Sequence, residues 1–222
     1  MRGIVFSLKN REHRLHRFSR LRDFSLKRFM SLYSVRAFFF LMFFVGVIFG
    51  ASSFDATSTD FLSQLDFLFV TNLSNRLSLS AFDVFCSSFA SDFLFVFSCF
   101  LLSFTAWGMF ALPALCAFKG YGLGITAAYL MSEHSLSGLG FFVLVILPGA
   151  VLFFMAFIVS LNEAFTHSVD LLKLYFSSKT DVLLHRNIKT FFVRFFIVLI
   201  FAVFSAIVDM ILWSLFANMF NF

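Results

Sequence analysis

Five long apolar runs, separated by polar or basic residues, constrain this 222-residue chain more than any other feature. A bilayer core of about 30 Å needs about 20 apolar residues in a helix that rises about 1.5 Å per residue. The runs fall at 36–54, 89–112, 116–131, 138–161 and 190–213, the last reaching toward 220. They predict an all-α, polytopic integral membrane protein with five transmembrane helices. Composition agrees: 40 phenylalanines in a chain that is 60% hydrophobic exceed what a soluble domain of this size can bury. The domain division expected is a basic cytoplasmic segment, 1–35, followed by a five-helix membrane domain, 36–222.

The basic residues assign the two sides. More than half of the 17 lysines and arginines precede the first run. Lys119 lies between runs two and three, and Lys173, Lys179, Arg186 and Lys189 between runs four and five. Five crossings put all of these on one face, as the positive-inside pattern requires. The expectation is a bacterial cell-membrane protein with a cytoplasmic N-terminus and an extracytoplasmic C-terminus. The basic N-terminal segment reads as the cytoplasmic flank of a spanning helix, so no nucleic-acid partner is expected. Two connecting segments show helical periodicity. Leu15, Phe18, Leu21 and Phe24 recur among arginines at the inner surface, where a disordered basic tail fits equally well. Phe61, Leu62, Leu65, Leu68 and Phe69 follow an i, i+3, i+4, i+7, i+8 pattern and predict an amphipathic helix on the outer face.

The stretch "ALPALCAFKGYGLGITAAYL" sets three glycines and a lysine inside apolar sequence. Pro113 lacks an amide donor and is expected to end the second span. Lys119 then sits in the inner turn with its ammonium among the headgroups. The third span, 116–131, is only about 24 Å long and reads as short or partly re-entrant. Gly120 and Gly124 form a GxxxG face, Gly46 and Gly50 a second one on the first span, and Gly108 a further small site on the second. Small residues let helix backbones approach closely in lipid; these faces pack either within one chain or between chains. Gly138 opens the fourth span, and Pro148 with Gly149 should kink it near its middle.

Charges inside the spans are costly and often functional. Asp92 and Asp209 read as lying near the outer ends of spans two and five, Glu163 and Arg194 near the inner ends of spans four and five, with the midplane mostly Phe, Leu, Val, Ala and Gly. A Glu163–Arg194 ion pair is expected on the cytoplasmic side. No catalytic constellation emerges. His13 and His16 beside Glu12 lie in an arginine-rich tail that repels cations, and Glu133 with His134 reads as an exposed polar turn. Cys86, Cys99 and Cys116 have neither disulfide nor metal spacing. No catalytic, cofactor-binding or metal-binding residue is expected.

The ordered set "FFVGVIFGASSF", "FALPALCAFKGYGLGITAAYLMSEHSLSGLGFF", "VLVILPGAVLFFMAFIVSLNEAFTHS" and "FFVRFFIVLIFAVFSAIVDMILWSLF" resembles the stage II sporulation protein M family, in particular its clostridial-type members. The most specific part is the spacing of Pro113, Lys119, Gly120 and Gly124, followed by Gly138 and Pro148. The resemblance implies five spans and a non-enzymatic membrane scaffold. In spore formers such a protein acts with two peptidoglycan-cutting partners, sporulation proteins D and P, during engulfment of the forespore. A small-molecule or ion transporter is the alternative reading of the same spans, and an intramembrane enzyme a weaker third. The partners expected are the lipid bilayer, extracytoplasmic peptidoglycan hydrolases and a second copy of the chain.

Overall fold

The computed structural model describes residues 34–54, 80–176 and 188–216, without the side chains of 173–176 and 188–190. The two amphipathic segments expected near 15–24 and 61–69 lie outside these residues. The chain divides into two compact units, Met1–Phe38 and Phe39–Phe222. Of the first, only the opening turn of a helix is described.

Five helices make up the described residues, and no strand occurs among them. They are α1 (Ser34–Ser53), α2 (Ala81–Ser103), α3 (Gly108–Phe141), α4 (Leu147–Phe176) and α5 (Ile188–Phe216). A π-helical turn, Phe142–Ile146, joins α3 to α4. By length and composition four helical stretches are fit to cross a membrane, and one of them, Gly108–Leu172, runs for 65 residues. That stretch would be about 98 Å long if straight, and it is broken at Ser135, which adopts φ 52° and ψ −129°. The break folds the chain back on itself. A Cβ on Gly138 would collide with the carbonyl of Leu130, eight residues earlier; along a straight helix those positions lie about 12 Å apart. Ser132 and Ser137 hydroxyls donate to the carbonyls of Tyr129 and His134 and so satisfy the backbone around the break.

The helix boundaries correct three expectations. Span two begins earlier than expected, because Ser80 caps it. The Ser80 hydroxyl accepts from the Asp83 amide at 3.3 Å while the Asp83 carboxylate accepts from the Ser80 amide at 3.2 Å, a capping box that satisfies two otherwise orphaned donors. That helix also ends earlier, at Ser103, and the turn after it is Phe104–Trp107 rather than at Pro113. Pro113 lies inside α3. Consequently the third helix is not short: from Gly108 to the break at Ser135 it is about 40 Å long. The turn expected between Pro113 and Lys119 is continuous helix.

Contacts between helices give their directions. α2 and α3 form an antiparallel hairpin, and α4 and α5 run antiparallel through the pairs Gly149 with Asp209 and Glu163 with Arg194. Near the break, Val84, Leu130, Phe141, Phe142, Val145 and Trp213 close one end of the core, where Phe141 meets Trp213 edge-on at 5.5 Å. At the other end Phe100, Phe104, Phe191 and Phe195 pack around His167. There His167 Nδ1 lies 2.9 Å from the Ser103 carbonyl, and the Ser168 hydroxyl donates to the Thr105 carbonyl at 2.7 Å. The His167 contact reaches a carbonyl at the C-terminal end of α2 that the helix ladder leaves open, and the Ser168 contact joins the Gly108 amide on the Thr105 carbonyl of the turn.

Candidate functional site

Two features assemble from the residues the sequence brought forward: a glycine seam between α1 and α3, and a polar centre in the middle of the bundle.

The seam uses both GxxxG pairs at once. A Cβ on Gly46 would overlap the Ala117 carbonyl, and one on Gly50 the Tyr121 carbonyl. Conversely a Cβ on Gly120 would overlap the Phe43 carbonyl, and one on Gly124 that of Val47. Residue numbers rise together along both helices, so α1 and α3 are parallel. The two glycine faces therefore meet each other within one chain, backbone against backbone. Cys116 Sγ extends the seam by contacting the Phe39 carbonyl at 3.3 Å. Gly108 serves a different contact: a Cβ there would strike the Leu102 carbonyl, so the tight α2–α3 turn needs glycine at that position.

The polar centre contains Lys119, but not where the sequence suggested. The turn at Phe104–Trp107 carries Lys119 about 17 Å up α3, with about 24 Å still to go before Ser135. It faces Asp92, the middle residue of the 23-residue α2. Lys119 Nζ lies 3.0 Å from Asp92 Oδ1, with side chains 16% and 8% exposed. The same ammonium donates to Ser91 Oγ at 3.4 Å and sits 4.5 Å and 4.8 Å above the ring centroids of Phe95 and Phe153. The expectations that Lys119 occupies the headgroups, that Asp92 lies near an outer end and that the middle of the bundle is essentially apolar are thus all corrected. The cause is one displaced turn: moving it toward the N-terminus lowers Asp92 and raises Lys119 to a common level.

α5 and α4 complete this centre. Ser205, 1% exposed, donates to the Gly149 carbonyl at 2.9 Å. Gly149 in turn lies against the Asp209 carboxylate, which fills the place a Cβ would take. The backbone leading into α4 is irregular. The Leu147 amide donates five residues back, to Phe142, and Pro148 follows with no amide to offer. The irregularity expected at Pro148 takes the form of a π-helical turn just before it, which lengthens the hydrogen-bond register by one residue. Glu163 and Arg194 are in direct contact, with the Arg194 side chain 50% exposed and that of Glu163 14%.

Asp92 and Ser91 were not legible as partners of Lys119. The available signal was the near-symmetric placement of Asp92 and Lys119 about the polar "TAWG" turn, which a hairpin converts into a contact.

The model of the family described as Stage II sporulation protein M matches residues 37–212. The chain belongs to this family. The match runs from α1 into α5 and includes both the glycine seam and the polar centre. No curated protein and no solved structure matches the chain.

Proposed function

We propose that this family member is a non-enzymatic membrane scaffold. It crosses the bilayer five times, with the N-terminus cytoplasmic and the C-terminus outside, and gathers peptidoglycan-remodelling enzymes on the outer face. The family match across 37–212 carries this reading, and the glycine seam supports it: helices fixed backbone to backbone form a rigid platform. The break at Ser135 supports the fifth crossing, because it divides a 65-residue apolar stretch into two antiparallel arms. Trp107 and Phe110, 78% and 65% exposed beside the α2–α3 turn, suit an interface between lipid and water. By resemblance the partners are hydrolases of the sporulation D and P type, met by the 55–83 segment, and a second copy of the chain is a further partner. Crosslinking with mass spectrometry in producing cells tests the reading. Wall hydrolases should be recovered through residues 55–83. Their absence, with solute flux in liposomes, would reverse it. Accessibility labelling should find the two chain ends in different compartments.

The second reading, a small-molecule or ion transporter, is favoured by the enclosed Lys119–Asp92 pair and by the π-helical turn before α4. Charged groups and interrupted helices at mid-depth are the usual material of transport sites.

A further inference from the structure

We draw no further inference here: the strongest candidate, the apolar surface patch around the break at Ser135 where Met131, Leu136 and Leu139 are exposed, carries none because nothing in the structure shows what covers it.

Discussion

Among the described residues two ion pairs join neighbouring helices, and they differ in how far solvent reaches them. Glu163–Arg194 joins α4 to α5 toward the end where α2 turns into α3, and half of the arginine side chain is exposed. Lys119–Asp92 joins α2 to α3 in the middle of the bundle, with both side chains largely enclosed. Two charges in water-like surroundings attract weakly, and holding long side chains in one geometry costs entropy. Two charges enclosed by helices attract strongly but have given up their hydration, so neither tolerates loss of the other. The pair that is exposed on its arginine side should therefore matter less than the enclosed one.

The largest test of that contrast is Asp92→Ala, which strands the Lys119 ammonium among Phe95 and Phe153. It should cost about 3–5 kcal/mol in denaturation from mixed micelles. The double variant Asp92→Leu with Lys119→Met, which leaves no stranded charge, should recover most of that loss. A single variant as stable as wild type would mean that the centre is hydrated and the contrast false. Next in size is the glycine seam, which binds helices without any charge. Gly124→Ile should drive a side chain into the Val47 carbonyl and cost about 1–3 kcal/mol by overpacking, with no dependence on salt. On the exposed pair, Glu163→Ala or Arg194→Ala should cost no more than about 1 kcal/mol. The effect should shrink in high salt, and the exchange Glu163→Arg with Arg194→Glu should restore it; failure of the exchange would mean that the side chains act through packing. The smallest effect is a gain. Ser135 has a positive φ that glycine adopts freely, so Ser135→Gly should stabilise the protein by about 1 kcal/mol, visible as a raised melting temperature of the purified protein.

The comparison also separates what pattern reveals from what geometry adds. Glu163 and Arg194 suggested each other because each stands near the end of a long apolar run, and run ends in antiparallel neighbours meet. Both GxxxG pairs were legible because close backbone approach in lipid leaves little choice but glycine; that they face each other in one chain was not, since the same pattern serves an intermolecular contact. Lys119 was visible as a charge but misplaced. The proline six residues before it looked like the stop, whereas Pro113 is accommodated inside α3 and the chain turns at 104–107. The Ser80 capping box was present in the letters, yet the surrounding "SLSAFDVFCSS" read as loop because its serines masked an apolar face.

Run length and residue type alone determined that this chain is helical, fit for a membrane and tied together by small residues, because hydrocarbon leaves a backbone few ways to satisfy its hydrogen bonds. Where each helix starts and turns was decided only in three dimensions, by caps, carbonyl contacts and one serine with positive φ, energies too small and too local to show in a hydropathy pattern. The displaced turn moves a charge by about three helical turns, and that is what brought Lys119 level with Asp92.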